Sequence, residues 1–265
     1  MSEAVTPTRR ARTASTAGID GAASWASCSA DAPAGGVHPL ICAGCGERAD
    51  VPQVREPGLL VCAGCGHGEP FARRPLFCLT GPGGTGKSTV ARLLIPRVGG
   101  RVVVLEQDLL WQAGLDDPTD EHRLFRSTWL RLAAAIGQNG RPVLLCGTVV
   151  PPELEPLPER ALFARIHYLA LTCEAGVLAA RLRARPAWRQ WDESRIAEML
   201  DYAAWLGTTA SRLLPPVDLL DTTAVPPATT AEQIDVWLDR LLHQSGPISQ
   251  ARSVRRSCDT GSMSW

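Results

Sequence analysis

The stretch from Gly81 to Ser88 reads GPGGTGKS and fits the spacing G-x-x-x-x-G-K-[ST] at every fixed position. An apolar run precedes it and a helical segment follows, which is the context that this motif requires. Glycines let backbone N–H groups wrap closely around a phosphate at a helix N-terminus. We therefore predict a nucleotide-binding loop in which Lys87 reaches the β- and γ-phosphates, Ser88 holds Mg²⁺ and Thr89 contacts the α-phosphate.

Lys87 is also unusual in the composition, because it is the only lysine among 27 basic residues. The compact ammonium of lysine is not replaced cleanly by the planar fork of arginine. The only asparagine is Asn139, so an N-K-x-D motif for reading guanine is impossible, and ATP is favoured. The residues expected to contact ATP are Gly81, Gly83, Gly84, Thr85, Gly86, Lys87, Ser88, Thr89, Asp221 and Thr222.

Two carboxylates follow the second predicted strand, in the segment VLEQDLLW. Alternation along an extended segment would place Glu106 and Asp108 on the same side, facing the crevice at the strand ends. Transfer of a phosphoryl group to a hydroxyl needs a base and a Mg²⁺ site. We assign Asp108 as the general base, in contact with the acceptor, and Glu106 as a ligand to Mg²⁺ through water. The alternative is that one of them only caps the next helix.

The third predicted strand ends in Cys146-Gly147-Thr148 and carries no carboxylate there. Many motor and DNA-processing ATPases place a magnesium-binding acid at this position. The sequence therefore favours a compact kinase, in which the acid after the second strand serves Mg²⁺.

Other side chains are expected to complete the site. Arg181 and Arg185 are four residues apart and would share one helical face, from which both could close over the γ-phosphate as catalytic residues. A solvated helix face is the alternative, because arginine is abundant in this chain. Trp111, three residues after the proposed base, is the best candidate for stacking on the acceptor, although any one tryptophan more often packs in a core.

Two matching cysteine pairs lie before the phosphate loop. Cys42 and Cys45, and Cys62 and Cys65, each occur in the pattern CAGCG, with 16 residues between the pairs. Four thiolates at this spacing indicate a tetrahedral structural zinc site with no open position for catalysis. The purpose of this predicted ribbon, residues 39–70, stays open among docking, dimerisation and covering the other domain.

The remaining chain alternates apolar runs with helical segments, which is typical of a parallel α/β sheet. Strands are expected at 76–80, 101–106, 142–147, 165–171 and 217–221, and helices at 88–96, 120–136, 174–185, 193–206 and 230–243. In the second of these helices, Phe125, Trp129, Leu132 and Ile136 would form the buried face. We place one domain at residues 75–243, with disordered tails at 1–38 and 244–265.

The segment 75–243 resembles the small P-loop kinases, which include nucleoside, nucleotide-monophosphate, shikimate, gluconate and antibiotic kinases. The resemblance rests on Gly81–Thr89, the Glu106 and Asp108 pair, the Arg181–Arg185 helix and the Asp221-Thr-Thr terminus. More specifically, segments 103–111, 141–148 and 166–171 look like those of bacterial proteins labelled nucleoside kinases or AAA-type ATP-binding proteins. The resemblance implies a three-layer sandwich around a five-stranded parallel sheet of order 2-3-1-4-5, an acceptor-binding helical region and a mobile lid.

Charge and composition limit the other possibilities. Basic and acidic residues balance at 27 each, so we expect no nucleic-acid partner. No apolar run approaches the length of a membrane span, and the first residues lack a secretory h-region, so we expect a cytoplasmic protein. The sequence thus predicts an ATP- and Mg²⁺-dependent phosphotransferase with a small hydroxyl acceptor, and it favours a nucleoside-like one. An ATPase, an ATP-sensing regulator and a nucleic-acid-associated protein remain alternatives.

Overall fold

The computed structural model describes residues 41–56, 58–112 and 118–244. The predicted N-terminal tail and residues 245–265 of the predicted C-terminal tail lie outside these ranges. The first element of the fold is a small antiparallel sheet with strands in chain order. Its strands are β1 (Gln53–Arg55), β2 (Leu59–Val61) and β3 (Gly68–Pro70). In the chain, β1 and β2 lie between the two cysteine pairs and β3 follows the second pair, as expected for a zinc ribbon.

The second sheet has five parallel strands. They are β4 (Leu76–Thr80), β5 (Val103–Glu106), β6 (Val143–Cys146), β7 (Ile166–Thr172) and β8 (Val217–Asp221). Their spatial order is β5-β6-β4-β7-β8, which confirms the predicted order 2-3-1-4-5. The central strand β4 is buried along its whole length, because helices cover both faces of a parallel sheet. The carboxyl ends of the strands therefore meet at one edge.

Seven α-helices accompany the sheets in the described part of the chain. They are α1 (Lys87–Val98), α2 (Asp108–Gln112), α3 (Arg123–Gly137), α4 (Pro151–Leu154), α5 (Ala175–Arg183), α6 (Glu193–Thr209) and α7 (Pro227–Gln244). None of the helices in these ranges combines the length and apolarity that a membrane crossing requires. The short helices α2 and α4 were not expected from the sequence.

The large sheet is packed on both faces, and strand residues alternate between the two cores. Phe77 and Leu79 of β4 point toward α1 and α7, whereas Leu76 and Cys78 point toward α3. This alternation is the two-residue period of an extended chain. The predicted buried runs thus become strands that supply both layers of the sandwich.

The buried face of α3 differs from the expected one. Phe125 and Trp129 are buried as predicted, but Leu132 is 38% exposed. The helix instead turns a neighbouring face toward the sheet, and that face includes the small residues Ala133 and Ala134. Small side chains let a helix approach a sheet closely. A pattern that counts only large apolar residues therefore misplaced the contact face.

The small sheet rests on the same side of the large sheet as α3. Val54 and Leu60 pack against the core cluster that contains Trp129. Arg131 of α3 donates hydrogen bonds to the backbone carbonyls of Ala49 (3.0 Å) and Asp50 (2.6 Å) in the ribbon. The ribbon is therefore attached to the helix that lies beside the predicted acceptor region.

Candidate functional site

The phosphate loop adopts the conformation that its glycines permit. Gly81, Gly84 and Gly86 have φ angles of +118°, +92° and +95°. At Gly81 an added Cβ would lie 2.3 Å from the carbonyl oxygen of Leu171, so no side chain fits. The loop closes on itself where Thr85 donates its hydroxyl to the carbonyl of Pro82, at 2.9 Å. The result is a rigid loop at the N-terminus of α1.

The ammonium group of Lys87 lies across this loop. Its Nζ donates to the carbonyl oxygen of Pro82 at 2.8 Å and also to that of Gly81. Burial lowers the pKa of Lys87 to about 8, and the positive charge of Arg185 acts in the same direction. Asp108 and Glu106 oppose this shift. A phosphate bound in the loop would replace these carbonyl contacts by a charge of opposite sign.

Ser88 and Glu106 come together beside the lysine. The hydroxyl of Ser88 donates to Oε2 of Glu106 at 3.3 Å. Partial burial raises the pKa of Glu106, while the Ser88 hydrogen bond acts against the shift. A hydroxyl and a carboxylate of this kind are hard oxygen donors, which Mg²⁺ prefers. The pair fits the predicted role in holding Mg²⁺ next to the phosphates.

Asp108 reaches the same region by a different route from the expected one. The extended segment ends at Glu106, and Asp108 begins helix α2. Its charge acts on Lys87, Glu106 and Arg185, so the carboxylate belongs to the same electrostatic cluster as the lysine of the loop. The alternation argument was therefore wrong about the backbone, although both acids belong to one cluster. Asp108 is also in the first turn of α2, where a carboxylate interacts favourably with the helix dipole.

Gln107 is a residue of this cluster that the sequence argument missed. It is only 5% exposed, and its side-chain oxygen accepts a hydrogen bond from the backbone N–H of Thr148 at 3.1 Å. Its carbonyl oxygen accepts the indole N–H of Trp129 at 3.2 Å. A Cβ on Gly147 would lie 1.7 Å from the side-chain oxygen Oε1 of Gln107. Gln107 therefore fixes the backbone between Glu106 and Asp108. The one sequence signal for this role is the glycine at position 147, at the end of a predicted strand, which leaves room for the Gln107 side chain.

The two predicted lid arginines have different surroundings. Helix α5 ends at Arg183, so Arg185 lies beyond it and does not share a helical face with Arg181. The Arg181 guanidinium donates to the carbonyl oxygens of Thr222 (2.9 Å) and Thr223 (3.1 Å). The expectation that both arginines project from one face was wrong, because the helix is shorter than its sequence pattern.

Arg185 is the one whose charge acts at the phosphate loop. It is partly buried, which lowers its pKa, and its charge acts on that of Lys87. Its guanidinium lies 5.3 Å from the ring centre of Trp191, and Arg195 lies 4.7 Å from the same ring. The indole edge of Trp191 is 3.0 Å from the position that a Cβ on Gly83 would occupy. Trp191 thus lies over the loop, and it explains why residue 83 has no side chain.

The segment after β8 is tied to the phosphate loop. The hydroxyl of Thr222 contacts the carbonyl oxygens of Thr172 (2.8 Å) and Thr85 (3.2 Å). The hydroxyl and the backbone N–H of Thr223 both donate to Asp221 and lower the pKa of that exposed carboxyl. Thr222 therefore lies beside the loop, while the Asp221 side chain is occupied in forming the turn.

Trp111 lies in α2, three residues after Asp108. It is 41% exposed. One part of the ring packs edge-on against Phe125, at 5.1 Å between ring centres, and it also contacts His122 at 4.8 Å. This arrangement fixes the indole and leaves part of it accessible for stacking.

The four predicted zinc ligands converge. The Sγ atoms of Cys42, Cys45, Cys62 and Cys65 all lie within 4.8 Å of one another. Each pair is followed by a glycine with φ of +74°, Gly46 and Gly66, which allows the tight turn back. Backbone N–H groups of the second pair point at Cys62 and lower the pKa of its thiol to about 7. The cluster has the ligand number and proximity of a tetrahedral thiolate site.

Part of the chain matches a known family model, and the chain is similar to several solved structures. Residues 78–206, just under half of the chain, match the family model described as an AAA domain. Similar solved structures include a sugar kinase from Janibacter sp., at 20% identity and a TM-score of 0.47, covering 63% of this chain and 95% of that one. A gluconokinase from Sinorhizobium meliloti 1021 is similar at 19% identity and a TM-score of 0.42, covering 66% and 99%. No curated protein sequence matches the chain.

The strand order, the phosphate loop and the family match define the class of protein. Residues 76–244 form an α/β domain of the P-loop type, with five parallel strands in the order 2-3-1-4-5. The AAA-domain match begins within β4, just before the phosphate loop, and ends in α6. The part of the chain that it covers therefore contains every predicted catalytic residue.

Proposed function

We propose that this protein is an ATP- and Mg²⁺-dependent phosphotransferase that moves the γ-phosphate of ATP to a hydroxyl of a small molecule. The observation that carries the proposal is a cluster at the carboxyl edge of the sheet that contains the loop lysine, a pair of oxygen ligands for Mg²⁺, a carboxylate and an arginine. Lys87 lies in the phosphate loop, Ser88 contacts Glu106, and the charges of Asp108 and Arg185 act on the lysine. Phosphoryl transfer needs this combination of cation, magnesium ligands and base.

In this proposal the phosphates of ATP are bound by the backbone N–H groups of Gly83–Thr89, with Lys87 at the β- and γ-phosphates. Thr222, which contacts Thr85, borders the rest of the nucleotide. Ser88 and Glu106 would hold Mg²⁺, and the ion would neutralise charge on the phosphate oxygens. Arg185, held by its stacking on Trp191, supports the negative charge that spreads over the transferred group.

Asp108 acts on the acceptor. Two observations support this role: Asp108 begins the helix that follows β5, and its charge acts on both Lys87 and Arg185. It accepts the proton of the acceptor hydroxyl as that oxygen bonds to the γ-phosphorus, while the bond from that phosphorus to the β–γ bridging oxygen breaks and ADP leaves. Trp111, on the same short helix, borders the acceptor, and a ring compound such as a nucleoside suits that exposed indole face.

The cysteine cluster is proposed to hold a structural Zn²⁺. Four sulfur donors fill the tetrahedral positions, so no position remains for substrate. The metal would stabilise the ribbon, which contains only three short strands, and the ribbon in turn covers part of α3. Metal analysis of the purified protein tests this point, and a zinc content well below one per chain contradicts it.

The function is tested with γ-labelled ATP, Mg²⁺ and panels of nucleosides and sugars. We expect label to move to one acceptor class, and Lys87→Ala to abolish the transfer. Asp108→Asn should abolish transfer while ATP affinity stays near normal, because the base does not hold the nucleotide. Label found only as free phosphate, with every acceptor tested, would support an ATPase instead. Equal losses of ATP binding and transfer in Asp108→Asn would overturn the assignment of the base.

A further inference from the structure

The helices that follow β5 and β6, together with α6, carry a charge pattern that bears on the acceptor. We call α2, α3, α4 and α6 the acceptor wall, because Leu110, Phe125, Leu154 and Leu206 of these helices pack in one core cluster and α2 begins at the proposed base. Tyr202 of α6 contacts the carbonyl oxygen of Thr148, at the end of β6, at 3.3 Å. The charge of Glu153 in α4 acts on Tyr202. Glu153 accepts the N–H of Val150, and Gln107, next to the proposed base, accepts the N–H of Thr148, so Glu153, Tyr202 and Gln107 all contact the segment 148–150 after β6.

The guanidinium group of Arg126, in α3, lies at this wall and already has partners within the protein. It forms an ion pair with Glu153, and a second guanidinium nitrogen donates to the carbonyl oxygen of Glu121. The side chains of Arg126 and Glu153 are only 19% and 29% exposed. The other oxygen of Glu153 accepts the backbone N–H of Val150 at 3.0 Å, which fixes the carboxylate at the start of α4. The pair is therefore held from both sides.

A second arginine near the crevice is likewise occupied. Arg195 of α6 stacks on Trp191 and donates to the carbonyl oxygens of Arg189 (3.1 Å) and Gln190 (2.8 Å). Arg185 and Lys87 are assigned to the phosphates of ATP. An anionic acceptor at this wall would thus meet the carboxylates of Asp108 and Glu153, whereas the guanidinium groups of Arg126 and Arg195 already have protein partners.

We infer that the acceptor is uncharged on the side that this wall recognises, as a nucleoside or a neutral sugar is. A nucleoside monophosphate or a sugar acid would have to displace Glu153 from Arg126, and the cost of leaving a half-buried carboxylate unpaired opposes this exchange. The accessible rings support the inference. Trp205, 37% exposed, is stacked with Tyr202 at 5.9 Å between ring centres, and such faces bind neutral rings.

This inference rests on the proposed function, and matched acceptor pairs separate the two. Transfer of label from ATP is measured for a nucleoside against its monophosphate and for a sugar against its sugar acid. We expect the neutral member of the preferred pair to have the higher kcat/KM, by about tenfold or more, the factor that 1.4 kcal/mol represents. A higher kcat/KM for the anionic member overturns this inference and leaves the phosphotransferase intact. Transfer to neither member of any pair overturns the proposed function and this inference with it.

Variants test the role of the ion pair. Glu153→Gln keeps an oxygen for the Val150 N–H but releases Arg126, and it should raise the anionic-to-neutral ratio of kcat/KM by about tenfold. Glu155→Gln is the matched control, because Glu155 pairs with Arg160 at 2.7 Å and should leave the ratio unchanged. An unchanged ratio in Glu153→Gln contradicts the inference. If that variant does not fold, the wild-type comparison of matched pairs decides alone.

Discussion

Replacing Arg131 by methionine should destabilise the attachment of the ribbon to α3. The side chains of Arg131 and Glu159 are 11% and 3% exposed, and their charged groups approach to 2.7 Å. Methionine leaves the Glu159 carboxylate buried with only the Ser127 hydroxyl, at 2.7 Å, as a partner. Removing one member of a buried ion pair costs about 3–5 kcal/mol. The ribbon carbonyls of Ala49 and Asp50 lose their donors as well, so we expect a loss in the upper part of this range.

The measurement is urea unfolding of the wild type, Arg131→Met and the double variant Arg131→Met/Glu159→Met. Fluorescence of the buried Trp129, two residues from Arg131, contributes to the signal. The double variant should recover much of the lost stability, because no unpaired charge remains. A single variant within about 1 kcal/mol of the wild type, which is the range of an exposed pair, would refute the reasoning. A double variant no more stable than the single one would refute it too.

Three further outcomes follow from the site and the ribbon. Gly147→Ala should displace Gln107 and leave the Thr148 N–H unpaired, which lowers stability by about 1–3 kcal/mol and reduces kcat. The control is Gly207→Ala in α6, where an added Cβ meets no atom, and this variant should be more stable than the wild type by about 0.5–1 kcal/mol. The denaturant midpoints of the two variants are compared, and equal shifts would contradict the steric argument. ATP affinity in calorimetry should fall as pH rises through about 8, because Lys87 then loses the proton that attracts phosphate; a flat profile from pH 7 to 9.5 would contradict the lowered pKa. Cys62→Ser should abolish stoichiometric zinc binding and lower the melting temperature, whereas the buried Cys78→Ser should leave the zinc content unchanged.

The ribbon and the crevice are connected through one helix. Arg131 of α3 holds the ribbon backbone, and Trp129, on the same helix, donates its indole N–H to the carbonyl of Gln107. Gln107 separates the proposed magnesium ligand from the proposed base. The roles left open for the ribbon by the sequence were docking, dimerisation and covering the other domain, and these contacts favour covering of α3 within one chain.

The sequence by itself determined the features that are formed by short, continuous stretches of the chain. The phosphate loop of Gly81–Ser88 and the two CAGCG pairs are short motifs in which each residue has a local reason, so they could be read without a structure. The five strands and their order followed from buried runs that alternate with helices and from the resemblance to the small kinases. The central strand was predicted to the residue, since both of its faces are apolar and its end is marked by the loop.

Tertiary structure alone decided the features that depend on distant partners. Arg181 and Arg185 look equivalent in sequence, but α5 ends between them, and only the fold shows that Arg181 meets Thr222 while Arg185 acts near Lys87. The burial of Gln107 depends on the missing Cβ of Gly147, forty residues away and directly after the neighbouring strand β6. Leu132 was misplaced because small residues set the orientation of α3. In each case the deciding contact joins segments far apart in the chain, and no local pattern encodes such a contact.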